Sequence, residues 1–486
     1  MTRHNARYRP EPRVEEGYFI PSVPVPNPRK TEDYRWYHSL TGIKEIVSNP
    51  LETFNEDEFR EAVTQFNMLH GHFTFVNDPE FIRYCFIENR ENYAFSEIRQ
   101  RILRAILGDG LITAEGKKWS HARRLMSPMF TPKNIKIFAR DMKKTTEREM
   151  SRLLKEDVSQ EIAGPMSALT YLVLSDTLFS GDIEREQHAV LRDVSTALTY
   201  MGRPDPLDLM GAPDWVPRLT RLRGLKAVRN LRSMIGELNK ERKAQRDAGE
   251  PISDDFLSRL ILAGDETSDG FSDIDIEDHL LAFIGAGHET TARALSWLFY
   301  LLSNDTKSRD RLEAEVDALD IENTPPETWG DYLPFTMACF EETMRLYPPA
   351  PFIFRQAKKT DSFGDVAIPA KGVLFLNTWI LHRHEQLWKH PERFMPERFL
   401  GPQRDTIGRF QYLPFGVGER VCIGQRFAMQ EAAILIALLA RNYRFDYASD
   451  DVPWPKVRIT VQPENGMPMR VSKRHQSVLG KAPSTR

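Results

Sequence analysis

The chain has 486 residues, of which 41% are hydrophobic and 28% charged, and a formal net charge of −3. That length suffices to enclose a cofactor in a buried core, and the near balance of charge argues against nucleic acid as the main partner. The three cysteines, Cys85, Cys339 and Cys422, include no Cys-x-x-Cys pair. They argue against a disulfide framework, a cysteine zinc site or an iron–sulfur cluster, and they suit a reducing, cytoplasmic compartment.

In chain order, residues 1–30 are proline-rich and polar and read as an extended lead-in without a signal peptide. No apolar run approaches the roughly 20 residues that a membrane span needs, so no transmembrane segment is expected. A short strand is expected near 72–76. Apolar and charged residues alternate at helical spacing over 134–157, 222–248 and 306–320, whereas 275–303 is apolar nearly all round, the pattern of a helix through the core. Short strands are expected at 366–376 and 457–471, the latter as a hairpin turning at Asn465-Gly466. Residues 472–486 form a basic, polar tail. With no repeat and no linker, 31–471 read as a single domain, mainly α with a small β-rich region.

The most informative stretch is FGVGERVCIG, Phe415 to Gly424, ahead of the apolar helix QRFAMQEAAILIALLA. Gly416 and Gly418 permit a tight turn before a lone cysteine at a helix N-terminus. The helix-end N–H groups and Arg420 would favour the thiolate of Cys422, and Gly424 leaves room for a flat cofactor. A lone cysteine is ordinarily a small buried hydrophobe, the reading that fits Cys85 and Cys339. A phosphate loop fails, because the third glycine and the Lys-Ser/Thr pair are missing.

This stretch resembles the haem-binding signature of the cytochrome P450 family, matching it at Phe415, Gly418, Arg420, Cys422 and Gly424. The resemblance implies the cytochrome P450 fold, with haem b buried between two core helices. It makes Cys422 the ligand of the iron, pairs Arg420 with a haem propionate and packs Phe415 beside the thiolate. AGHETT, Ala286 to Thr291, resembles the family's oxygen-activating element, with Ala286 against the haem and Glu289 and Thr290 as an acid–alcohol proton relay. His288 lacks a His-Glu-x-x-His context and is not read as a ligand. Trp119 and Arg123 share a helix face and, with Arg355, resemble further propionate-binding residues. Glu342, Arg345 and Arg398 match a buried triad that holds the fold.

By this resemblance the chain is a monooxygenase that puts one atom of O2, its co-substrate, into a hydrophobic small molecule by hydroxylation or epoxidation. The segment after Cys422 is too short for flavin and nicotinamide domains, so electrons would come from a separate ferredoxin or flavoprotein. Lys117, Lys118, Arg124, Lys133, Lys136, Lys143 and Lys144 offer it a basic face. The substrate pocket is expected to draw on 283–290, 350–354, part of 92–112 and the hairpin near Ile459-Thr460. A peroxide-driven hydroxylase, a lipid isomerase or dehydratase, and a non-catalytic haem-binding protein are the alternatives.

Overall fold

The computed structural model describes residues 9–474, apart from 25, 27–39, 69–70, 184–185, 203–204, 206, 208–211, 213–214 and 266–269. The lead-in is more structured than its composition implies. Strands β1 (Arg13–Glu15) and β2 (Tyr18–Ile20) pair as a hairpin, turning through Glu16 and Gly17 at positive φ. Phe19, Ile20 and Val23 are buried, and Phe394 N–H donates to the Phe19 carbonyl. The prolines mask this turn, because they dominate the composition without entering either strand.

Long helices make up most of the remainder. They include α1 (Glu97–Leu107), α2 (Gly116–Met126), α3 (Pro132–Leu153), α4 (Ala163–Leu178), α5 (Gln187–Met201), α6 (Leu222–Asp247), α7 (Asp273–Asn304), α8 (Thr306–Ala318), α9 (Pro334–Leu346) and α10 (Gln425–Asn442). Helix α7 starts with a capping box, in which Ser272 and Asp275 satisfy each other's backbone N–H groups. From Thr291 to Leu302 almost every side chain of α7 is buried, so no face is left for water. Its main neighbour is α4, also apolar all round, and α3 packs against both α4 and α10. Helix α3 stops short of the expected residue 157, where Asp157 adopts positive φ and its N–H bonds to the Val471 carbonyl.

Strands β3 (Val63–Met68), β4 (Gly71–Val76), β5 (Tyr93–Ala94), β6 (Phe352–Ala357) and β7 (Val373–Asn377) form one sheet in the order β3-β4-β7-β6-β5. The β4–β7 pairing is parallel and the others are antiparallel. The expected strand at 366–376 is thus two strands. Val366–Ile368 pairs with Asp361–Phe363, and a turn through Lys371 at positive φ leads to β7.

The expected hairpin over 457–471 does not form. Pro455–Val457 pairs with Val461–Pro463, so the hairpin tip lies at 458–460. The turn at Asn465-Gly466 instead carries the chain into a different sheet. There Pro468–Lys473 pairs with Tyr443–Tyr447 on one side and Val158–Glu161 on the other. This strand runs beyond Val471, and Arg474 bonds Asp317, so the tail begins later than expected; residues 475–486 lie outside the described residues. No helix among the described residues is long and apolar enough to cross a membrane.

One buried ion pair fixes the segment that leads to Cys422. Glu342 and Arg345 on α9 are both fully buried and bond twice, at 2.6 and 2.8 Å. Arg345 spends its remaining donors on the carbonyls of His382, Pro391 and Arg393. Met395 N–H donates to Glu342, and Arg398 Nε approaches the same carboxylate at 3.4 Å. All three triad residues therefore meet, as the resemblance implied. Glu342→Ala should strand a buried guanidinium and lower the unfolding free energy by about 3–5 kcal/mol, read from urea denaturation. Removing both charges should not restore stability, because three carbonyls would then lack donors.

Candidate active site

A cavity of about 380 Å³ opens between α7 and the N-terminal end of α10. Its floor is the loop that carries Cys422. Gly416 and Gly418 both have positive φ, and a Cβ at Gly418 would lie 2.5 Å from the Phe86 carbonyl oxygen. Glycine is therefore required there. Cys422 N–H closes the loop onto the Phe415 carbonyl at 2.9 Å. Cys422, Phe415 and Gly424 all face the cavity, and Cys422 is the one exposed cysteine, whereas Cys85 and Cys339 are buried.

Although Cys422 presents its surface to the cavity, the protein packed around that cavity shields it from bulk water and raises its thiol above the ordinary value, while the Gly424 N–H and the Arg123 charge oppose that shift. The sequence reading assigned the stabilising charge to Arg420. That guanidinium instead donates to the Ala114 carbonyl and stacks 3.9 Å over the Trp119 ring. Burial also drives the other thiols up, Cys85 to about 12 and Cys339 well above its ordinary value.

The cavity gathers a concentration of cations that the sequence did not fully reveal. Arg420, Trp119, Arg123 and Arg355 line it as expected, and Arg99 of α1 joins them. Arg99, Arg355 and Arg420 surround the Phe95 ring at 3.8, 4.6 and 4.6 Å. Arg99 and Arg355 each donate one bond to a backbone carbonyl, and the buried Nη1 of Arg99 has no partner. Burial first, and mutual repulsion second, push Arg99 down to about 9 and Arg355 to about 10. Glu115 acts on all three guanidiniums and Glu419 on two of them, yet none of the three forms an ion pair among the described residues, and the surplus of positive charge suits an anionic cofactor. Nothing in the sequence singled out Arg99, because α1 also carries Arg101 and Arg104.

Ala282, Phe283, Ala286, Gly287, Thr290 and Thr291 of α7 face the cavity. The Thr290 hydroxyl donates to the Ala286 carbonyl one turn back, at 3.0 Å. Glu289 is placed differently. It is buried off the wall and paired with Arg293 at 2.7 Å, so the acid and the alcohol do not share a face. His288 also lies off the wall, with Nδ1 at 2.6 Å from the Ile284 carbonyl oxygen. Gly287 faces the cavity, yet a Cβ there would lie 2.9 Å from the Leu174 side chain. Gly287 thus also permits close packing against α4.

Ala350, Phe352 and Ile353 line the cavity, as do Phe95, Leu111 and Ile112, but Pro351, Phe354, Ile459 and Thr460 do not. Phe354 stacks on Phe375 in the sheet, and Ile459 fills the space beside Gly202 at the end of α5.

Glu431 of α10 is a further group that the sequence reading missed. It is fully buried, and burial pushes it up to about 8 with the neighbouring Thr291 hydroxyl opposing. The signal was available as one acid within a long apolar run. Its folded value lies above the ordinary value of 4.5, so the unfolded chain releases this proton first and stability falls as pH rises from there towards 8. Glu431→Gln should therefore raise the melting temperature by an amount that grows across that window and then levels off.

The comparisons accord with this geometry. The family described as Cytochrome P450 matches residues 44–468. Cyclooctatin synthase of Streptomyces melanosporofaciens is 30% identical over 384 residues, covering 78% of this chain and 81% of that protein. Taurochenodeoxycholic 6 alpha-hydroxylase of Sus scrofa is 28% identical over 431 residues, covering 82% and 81%. The crystal structure of the cytochrome P450DA heme domain superposes with a TM-score of 0.76 at 22% identity, over 94% of this chain and 98% of that one. The chain belongs to the cytochrome P450 family. It is a haem monooxygenase, using haem b with O2 as co-substrate, and its family membership implies a hydrophobic substrate and a separate redox partner. The residues present fit that cofactor, because a reachable thiol and a cluster of guanidiniums that form no ion pair among the described residues line the same cavity.

Proposed function

We propose that this chain hydroxylates or epoxidises an apolar small molecule in the cytoplasm, with two electrons delivered by a separate acidic ferredoxin or flavoprotein. One atom of O2 enters a C–H or C=C bond, and the other leaves as water with two protons. The observation that carries this reading is a single cavity lined by Cys422, the arginines and Thr290. When bound, haem supplies the oxygen activation, to which a thiolate ligand contributes electron density.

The protein residues then take separable roles. Cys422 would ligate the iron, with Phe415 beside it. Arg99, Arg355 and Arg420, with Trp119 and Arg123, would hold the propionates by charge-assisted bonds. Thr290 would hand protons to the reacting oxygen, its hydroxyl leaving the Ala286 carbonyl to do so. Glu289 would supply protons from behind, since reaching the cavity requires it to break its pair with Arg293. The apolar lining, with Phe283, Phe352 and Ile353, favours a hydrophobic substrate. Hydroxylation is supported by the similarity to the porcine taurochenodeoxycholic 6 alpha-hydroxylase.

The electron donor would dock on the basic face of α2 and α3. Lys117, Arg124, Lys133, Lys136 and Lys144 are exposed there. Lys118 is occupied by Asp109 and Asp275, and Lys143 by the Ile321 carbonyl, so these two contribute less.

Cys422→Ser should abolish the thiolate signature in the carbon monoxide difference spectrum of the reduced protein. An unchanged spectrum would remove Cys422 as the ligand. Thr290→Ala should keep substrate binding but lower product formed per electron pair consumed, roughly tenfold or more. Reductase-dependent turnover separates this reading from a peroxide-driven enzyme.

A further inference from the structure

Three carbonyls in the turn of α7 that leads to Thr290 carry more hydrogen bonds than a helix supplies. In a continuous α-helix each carbonyl accepts the N–H four residues on. The carbonyls of Ile284, Ala286 and His288 each take a side-chain donor as well, from His288 Nδ1 at 2.6 Å, Thr290 Oγ1 at 3.0 Å and Thr170 Oγ1 at 3.0 Å. The first two donors belong to α7 itself. The third crosses from α4, and both of its ends are buried. An added donor draws a carbonyl outward and lengthens its helical bond, which bends or loosens the turn.

Thr170 has one hydroxyl proton, and it also lies near two carbonyls of its own helix, Met166 at 3.0 Å and Ser167 at 3.2 Å. Those two contacts follow from the rotamer that a threonine adopts in any helix. The approach of the His288 carbonyl does not, and two oxygens 3.0 Å apart would repel without a proton between them. The neighbours of Thr170 hold the same place. Tyr171 sets its ring edge-on to the His288 ring at 5.7 Å and is anchored by its hydroxyl to the Ile183 carbonyl. Leu174 occupies the space that a Cβ at Gly287 would need. One face of α4 thus grips Gly287 and His288, directly before Glu289 and Thr290.

We infer that Thr170 is a positioning residue for the reaction: its hydroxyl holds the His288 carbonyl towards α4 and so sets the turn from which Thr290 faces the cavity. Thr170 does not line the cavity, so it acts only through α7. The catalytic consequence rests on the proton-delivery role proposed for Thr290, whereas the geometry does not. A loosened turn is what allows the Thr290 hydroxyl to exchange the Ala286 carbonyl for the reacting oxygen.

Thr170→Val keeps the shape of the side chain and removes its proton, whereas Thr170→Ser keeps the proton. The holoprotein offers a spectroscopic readout, the C–O stretching band of carbon monoxide bound to the reduced protein, which responds to the local electrostatic field. Coupling is read as styrene epoxide formed per electron pair consumed, styrene serving as an apolar probe. Thr170→Val is expected to shift or split the band and to lower coupling several-fold, while Thr170→Ser matches the wild type in both. Thr170→Ala replaces the valine variant should that one fail to take up haem. An unmoved band in the variant lacking the hydroxyl would overturn the inference. So would equal changes in Thr170→Ser and Thr170→Val, which would assign the effect to packing. Thr290→Ala separates the inference from the reading it rests on. If Thr290→Ala uncouples turnover while Thr170→Val does not, the positioning role fails and the reading of Thr290 stands. If Thr290→Ala stays coupled, the proton-delivery reading fails, and the band alone decides whether Thr170 sets the turn.

Discussion

Three guanidinium groups crowd one phenylalanine ring in this protein, and no ion pair among the described residues neutralises them, although Glu115 and Glu419 act on them from farther away. Such an arrangement is unfavourable in isolation, because like charges repel and burial deprives each of water. It becomes reasonable when an anionic cofactor is part of the folded state. Arg99, Arg355 and Arg420 come from α1, the strand Phe352–Ala357 and the Cys422 loop. In the proposed arrangement the cofactor's carboxylates would cross-link three separate parts of the chain and so couple cofactor binding to fold stability.

The floor and the roof of the cavity solve different problems. The loop from Phe415 to Cys422 is rigid by construction, closed on itself and forced into glycine geometry against Phe86. The roof is α7, where the polar steps at Glu289, Thr290 and Thr291 interrupt an apolar helix. These three consecutive residues diverge: Glu289 turns to Arg293, Thr290 lines the cavity, and Thr291 borders the cavity while its hydroxyl meets Glu431. Helical geometry imposes that divergence, since neighbouring residues are about 100° apart.

Much of this was legible in the sequence, for identifiable reasons. The glycines around Cys422 and the four-residue spacing of Trp119 and Arg123 are local patterns with one geometric solution, and α7 was evident from its apolar run. What escaped depended on pairing or orientation at long range. The hairpin assigned to 457–471 has the right alternation, but alternation does not say which strand lies alongside, and two different sheets share the segment. Arg99 is one arginine of three on α1 until the fold turns it inward. Glu289 lies beside Thr290 in sequence, but only the structure shows that Arg293 holds it away. The hairpin at Arg13–Ile20 was hidden by the surrounding prolines.

The side chain of Arg345 makes five hydrogen bonds, which exhausts every N–H that a guanidinium possesses. Its acceptors are dispersed from Glu342 through His382 and Pro391 to Arg393, so some fifty residues are registered against one planar group. A recombinant chimera assembled from this protein and a divergent homologue would therefore have to inherit α9 and everything through Arg398 from a single parent. A crossover placed inside that block would join backbones whose carbonyls were never shaped around the same fork.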